Sequence, residues 1–299
     1  MMLVSLVLFQ PIRHLLILGA LLAFSLPTLA AGHPLGEGEA SSKHRGPRSL
    51  EEIRNSGELV LLTFPHQNNV FARTNLTQGA MPKKAGADRF LGIDIDLARQ
   101  FARSLGVEVT VRPVSQPRYS ALIPDLLAGR GDLIASSFSI TEERKEKVDF
   151  SHPYYAVQQV VVASRDFAIQ GPEDLGALMT AVPVGSSHVG HLLRLGVDPA
   201  QIVYVDFTIE AYSALADDRV DFVLGDSTSA QISLLEMPNF HIALTLPGED
   251  HYAFALPKGS ELMPLLNQFL DEAQRTGELD DLIDTNMRRM AATKTSMEW

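Results

Sequence analysis

Three short stretches of the chain carry side chains suited to holding a charged small molecule. The first is Ser136-Ser137-Phe138-Ser139-Ile140-Thr141-Glu142-Glu143-Arg144. Its hydroxyls and backbone N–H groups can hold an anion, and the Arg144 guanidinium can fork onto a carboxylate through two parallel hydrogen bonds. The second is Gly185-Ser186-Ser187, just ahead of His188, where N–H groups at a helix start and the helix dipole favour negative charge. The third is Gly225-Asp226, whose carboxylate can receive an ammonium. Alone, the first stretch also fits a capping cluster beside a surface arginine, Ser187 an ordinary N-cap, and Asp226 a cap for the helix from Ser227. Taken together they provide one cation and one anion, which is what recognition of a zwitterion requires.

The elements that must position these stretches alternate between strand-like and helix-like patterns from Leu50 onward. Leu59–Thr63 reads as a short apolar strand. Ile93, Leu97, Phe101 and Leu105 recur every four residues as one helix stripe that Gly106 stops. Val107–Val111 alternates as a half-buried strand, and Tyr119–Ala128 reads as a helix closed by Gly129. Leu133–Ser136, Val160–Ala163, Thr180–Val184, Ile202–Val205 and Val220–Leu224 are further strands. Helices are expected at Pro172–Met179, His188–Leu195, Thr208–Asp217, Ser227–Leu235, Ser260–Thr276 and Glu278–Met287. Such alternation implies βαβ units and mainly parallel sheets. In those sheets ligands sit beyond the carboxyl ends of strands, and all three stretches follow a strand.

Composition narrows the function classes. The 299-residue chain has a formal net charge of −11 and no cysteine. An acidic balance argues against a nucleic-acid partner, which calls for clustered basic charge. Without cysteine there is no disulfide scaffold, thiolate metal site, cysteine nucleophile or lipidated N-terminal cysteine. At the N-terminus, Arg13 and His14 precede an apolar run, Leu15–Leu26, and Thr28 and Ala30 stand at −3 and −1 of a cut before Ala31. That is a secretory signal over 1–30, too short for a membrane span. Residues 31–49, rich in Gly, Ser, Pro, Lys and Arg, read as a disordered tether, and 288–299 as a frayed tail. No metal motif, P-loop, G-x-S-x-G or G-x-G-x-x-G is present, so no cofactor or metal is expected.

In its motifs the chain resembles the family 3 extracellular solute-binding proteins, periplasmic amino-acid receptors of bacterial ABC importers. Ser136-Ser137-x-Ser139-x-Thr141-x-x-Arg144 followed by Val148-Asp149-Phe150-Ser151-x-Pro153-Tyr154 matches that family's signature. So do Gly57-x-Leu59, Gly92-Ile93-Asp94-Ile95-Asp96-Leu97-Ala98 and Leu122-Ile123-Pro124-x-Leu126-x-x-Gly129-x-x-Asp132, in order from about Leu50 to Met287. The resemblance implies a periplasmic-binding-protein-like α/β fold, with two lobes joined by two extended hinge crossings. Lobe 1 is expected at 50–156 plus 254–287 and lobe 2 at 157–253, with crossings near Val157–Val160 and Gly248–Ala253. It further implies that Arg144 holds a ligand α-carboxylate, helped by the N–H groups of Ser139 and Ser187. Asp226 would hold the α-ammonium, with the Ser137 carbonyl and Ser139 hydroxyl as further acceptors, and Tyr119 would stack over the ligand.

The chain departs from the pattern after its first strand. Family members that take Lys, Arg or His carry an acidic residue there, whereas Phe64 stands near that place and Phe64-Pro65-His66-Gln67-Asn68-Asn69 holds no carboxylate. A polar or acidic L-amino acid is therefore the expected ligand, with Phe64 among the residues lining its site. Segment Phe71–Phe90 adds Arg73, Lys83, Lys84 and Arg89 against Asp88, either a basic lid or a solvated loop. The resemblance implies a monomeric periplasmic receptor, without a lipid anchor, that passes an amino acid to an ABC permease. Two other classes stay open. One is a cyclohexadienyl dehydratase-like enzyme, with Glu142, Asp226 or His188 as general acid. The other is a ligand-sensing or wall-associated module, which an end of the chain at Trp299 would weaken.

Overall fold

The computed structural model describes residues 47–64, 71–74, 90–116 and 118–295. The expected signal segment and the basic stretch at 75–89 lie outside the described residues, as do Pro65–Asn69 and residues 31–46 of the expected tether. At its end that tether is not free. Arg48 donates from Nε to Asp132 Oδ1 at 2.8 Å, and Ser49 forms a capping box with Glu52 on helix α1, Leu50–Ser56.

Two mixed sheets of five strands form the framework. The first is built from β1 (Glu58–Thr63), β4 (Glu108–Pro113), β5 (Leu133–Ile134), β6 (Asp149–Phe150) and β14 (Ala255–Leu256), in the order β4-β1-β5-β14-β6. A short pair, β2 (Arg73–Thr74) and β3 (Phe90–Leu91), stands beside it. The second sheet takes β8 (Gln159–Ser164), β9 (Thr180–Pro183), β10 (Ile202–Val205), β11 (Phe222–Asp226) and β12 (Phe240–Thr245), in the order β10-β9-β11-β8-β12. Between them in the chain lie β7 (Tyr155–Val157) and β13 (Asp250–Tyr252), which pair antiparallel.

The sheets are less parallel than the alternation predicts. β1 runs parallel to β4 and β5, and β9 parallel to β10 and β11. β14, β8 and β12 instead run antiparallel to their neighbours. The reason is topological. β8 and β14 each enter a sheet directly after β7 or β13, with no crossover helix to reverse them. Strand β12 carries no periodic signal in the sequence, because five of its residues are only partly exposed and Thr245 is exposed.

Apolar residues on the central strands face alternate sides, and each side is covered by helices. On β1, Leu59 and Leu61 join one core, while Leu62 and Phe64 beyond it join another. The first core includes α2 (Ile93–Leu105), α8 (Leu262–Thr276) and α9 (Glu278–Thr295); the second includes α3 (Leu122–Leu127). In the other sheet Val160 and Val162 face α6 (Thr208–Ala216), and Val161 and Ala163 face α5 (His188–Arg194). Helix α9 outruns the predicted Met287 boundary because Met290 is buried in the core it covers. The expected helices at Pro172–Met179 and the start of Tyr119–Ala128 are 3₁₀ turns, over Pro172–Ala177 and Tyr119–Ala121.

Leu61 sits at the middle of β1, fully buried between its partners Val111 and Leu133. Truncation there leaves a cavity that two flanking strands cannot close. Leu61→Ala is expected to lower unfolding free energy by about 2–5 kcal/mol in urea denaturation, with an unchanged slope.

Candidate functional site

The three stretches singled out by residue type lie at strand ends. Ser136–Arg144 follows β5, Gly185–Ser187 follows β9, and Asp226 ends β11. The loop after β5 is fixed by the returning chain on both sides of Ser139. Ile140 donates to the His251 carbonyl at 2.9 Å and Ala253 donates to the Phe138 carbonyl at 3.2 Å. Thr141 then caps the short helix α4 (Glu142–Lys145), its hydroxyl accepting from Arg144 N at 3.2 Å. The cap places Arg144 in the third helical position and turns its side chain inward.

Arg144 is buried, its Cζ 3.8 Å from the Phe138 ring centre. Nη1 donates to the Ser139 carbonyl at 2.7 Å, and Nη2 donates to the Gly185 carbonyl at 3.1 Å. The guanidinium therefore joins the loop after β5 of one sheet to the loop after β9 of the other. Burial lowers its pKa to about 10 while nearby Tyr119, Glu143, Asp226 and Asp250 act in the opposite sense. It stays cationic at neutral pH. The second loop approaches so closely that a Cβ on Gly185, at φ +80°, would stand 2.5 Å from the Ser120 amide nitrogen.

Both cap readings of the remaining stretches fail. Ser187 occupies the N-cap of α5 without capping it, and its hydroxyl instead donates to the Ser139 hydroxyl at 3.2 Å across the lobes. Asp226 occupies the N-cap of α7 (Ser227–Leu234) and likewise makes no side-chain cap bond. Its Oδ1 accepts from Gln159 Nε2 at 2.6 Å, and His188 Nε2 lies 3.9 Å from Oδ2. Burial lowers the His188 pKa against the pull of Asp226, so the imidazole is neutral at pH 7.

Tyr119 lies within the fields of both charges, Arg144 and Asp226. Burial pushes its phenol up to about 12, and a hydrogen bond to Ser137 works the other way. Its ring meets Phe64 edge-on at 5.1 Å, and Phe64 meets Phe207 of the second lobe at 5.4 Å. Phe64 is buried and its amide donates to Ser136 Oγ at 3.0 Å. The structure thus gathers Ser137, Ser139, Arg144, Tyr119, Ser187 and Asp226 around one place between the lobes, with Phe64 as the packed wall behind Tyr119.

Residues 78–288 match the sequence profile of the bacterial extracellular solute-binding proteins, family 3. The chain belongs to that family. Among solved structures, it resembles a mutant of the arginine-binding protein ArgBP from T. maritima with a TM-score of 0.68 and 29% identity, covering 79% of this chain and 97% of that one. It is 29% identical over 239 residues to a membrane-bound lytic murein transglycosylase F of Desulfosudis oleivorans, covering 78% of this chain and 49% of the relative. It is also 29% identical over 201 residues to the L-cystine-binding protein TcyJ of Escherichia coli strain K12, covering 65% and 73%. The chain spans about half the length of the transglycosylase relatives it matches.

In this solute-binding protein a further role falls to Asp94, a motif residue whose partners the sequence alone does not name. Asp94, at the second position of α2, is fully buried and accepts from the Ser137 amide at 2.6 Å and from the Tyr154 hydroxyl at 2.6 Å. Those bonds hold Ser137 in the left-handed region at φ 45°, a conformation that non-glycine residues rarely take. The signal was present as an aspartate inside the apolar stripe of Gly92–Ala98. Burial raises the Asp94 pKa from 3.8 to about 6 against its two hydrogen bonds.

A folded-state pKa above the unfolded one means that the native chain binds the proton more tightly. Asp94 therefore subtracts stability as pH rises from about 4 to 6, by about 3 kcal/mol at 1.36 kcal/mol per pKa unit, and no further above it. Asp94→Asn is expected to remove this slope. Urea denaturation of both proteins at pH 4 and pH 7 checks it, the wild type losing ground to the variant as pH rises.

Proposed function

We propose that this protein is an exported receptor that closes on the zwitterionic head of an L-amino acid and presents it to an ABC importer. The observation that carries this reading is a buried cation and a carboxylate on opposite lobes of one cleft. Arg144 belongs to the loop after β5 and Asp226 to the end of β11, and each lies within the field of the other. A guanidinium has five N–H donors, and its two carbonyl bonds leave donors for a ligand carboxylate. Asp226, relieved of capping, takes the ammonium. Ser139 and Ser187 serve the carboxylate, the Ser137 carbonyl serves the ammonium, and Tyr119 covers the ligand with Phe64 behind it. A ligand that touches both lobes favours their closed arrangement, the form an importer can recognise.

The ligand side chain meets the aromatic wall of Phe64, Tyr119 and Phe207. No acidic residue stands at Phe64, so a polar or acidic side chain fits better than the arginine named for the T. maritima neighbour. Export to the periplasm rests on the 1–30 leader, and among the described residues no helix is long and apolar enough to cross a membrane. A second reading follows from the transglycosylase relatives, in which this domain fills about half the length. There it would serve as a ligand-sensing module of a wall-associated protein.

A melting-temperature screen against the common L-amino acids, a cell-wall tripeptide, prephenate and arogenate separates these readings. Amino-acid binding supports the receptor, tripeptide binding the wall module, and conversion of prephenate to phenylpyruvate an enzyme. With the amino acid so found, Arg144→Ala is expected to weaken binding by calorimetry roughly 30-fold to several-thousand-fold, the equivalent of about 2–5 kcal/mol. Undiminished affinity would remove the carboxylate assignment.

A further inference from the structure

Gln159 is the first residue of β8 and stands directly opposite Asp226 in the antiparallel β8–β11 ladder. Opposed residues share one face of a sheet, so their side chains meet. The Gln159 amide nitrogen donates to Asp226 Oδ1 at 2.6 Å and to Asp250 Oδ2 at 3.0 Å. Both acceptors are carboxylates, so the nitrogen and not the oxygen of the amide must face them. The residue is buried, and Oε1 has no hydrogen-bond partner among the described residues.

Asp226 itself is in an unusual situation. An aspartate at an N-cap ordinarily accepts from the second or third amide of its helix, which here are those of Thr228 and Ser229. Asp226 makes no such bond although its backbone is extended as a cap requires, at φ −73° and ψ 138°. Its Oδ1 instead takes the 2.6 Å bond from Gln159, with His188 Nε2 at 3.9 Å from Oδ2 and the Tyr252 hydroxyl also within its field. Asp250, on the returning crossing β13, is held in turn by His191 Nε2 of α5 at 2.8 Å. One neutral amide therefore spaces two carboxylates and ties the cleft to the hinge.

We propose that Gln159 is a positioning residue that holds Asp226 away from the α7 cap and aims it into the cleft, so that the protein selects ligands bearing an α-ammonium. The proposal rests on the amino-acid reading given above. Without the amide, Asp226 turns back onto the Thr228 and Ser229 amides, and the cleft loses its acceptor while Arg144 keeps its own. Selectivity for the amino group then falls and carboxylate recognition remains. General loss of stability would weaken both alike.

The test uses Gln159→Met, nearly isosteric and unable to donate, with Gln159→Leu as a second variant. Crystal structures of both variants are expected to show Asp226 accepting from Thr228 N or Ser229 N. Calorimetric titrations use L-glutamine, L-arginine and L-glutamate, each beside its des-amino acid. The preference for the amino form is expected to fall roughly 10- to 150-fold, the range for losing a hydrogen bond to a charged group, with des-amino affinity unchanged. An Asp226 that does not move, or an unchanged preference, overturns the proposal. If the wild type binds no amino acid in the melting-temperature screen while Asp226 turns in the variants, the amino-acid reading fails and the positioning role stands.

Discussion

A buried guanidinium must be surrounded by oxygen, because an ion taken out of water without partners is far too costly. Much of this structure is organised around meeting that demand for Arg144. The Phe138 ring covers one face, and carbonyls of Ser139 and Gly185 take N–H groups from its two ends. Those carbonyls belong to different lobes, so the residue that needs shelter is also what links the lobes. The close approach of Gly185 to Ser120 follows from the same demand, since only a glycine allows that loop to reach the guanidinium.

The residues proposed to bind lie at or just after strand ends, while the groups bonded to them come from elsewhere. The Ser139 loop is held by the backbone of the returning chain at His251 and Ala253. Ser137 is held by Asp94 from the start of α2. Asp226 is held by Gln159, which opens the first strand after the outgoing crossing. The α7 cap is left unmade, so the helix forgoes roughly 1 kcal/mol of capping, and the carboxylate is available for the cleft.

The residues proposed to bind were legible in the sequence as candidates, and most of the groups that touch them were not. Ser137, Ser139, Arg144, Ser187 and Asp226 could be found because a hydroxyl or charge directly after an apolar strand is a local pattern. Gln159 and Asp250 could not, since their meeting depends on the register of β8 against β11 and on where β13 returns. Periodicity also suggested more parallel pairing than exists, because strand direction after a hinge is a property of the path and not of residue spacing. Asp94 lay between these cases, visible as a charge in an apolar stripe but without a visible partner. The end of α9 is not legible locally, because the burial of Met290 depends on neighbours far away in the chain.

Arg144 and Asp226 are proposed together to hold a zwitterion between the lobes. A crystal structure of the protein grown with the amino acid that raises its melting temperature most tests this directly. The ligand α-carboxylate is expected on the Arg144 guanidinium and the Ser187 amide, with the ammonium on Asp226. A ligand bound with its carboxylate away from Arg144, or outside the space between the lobes, would contradict it.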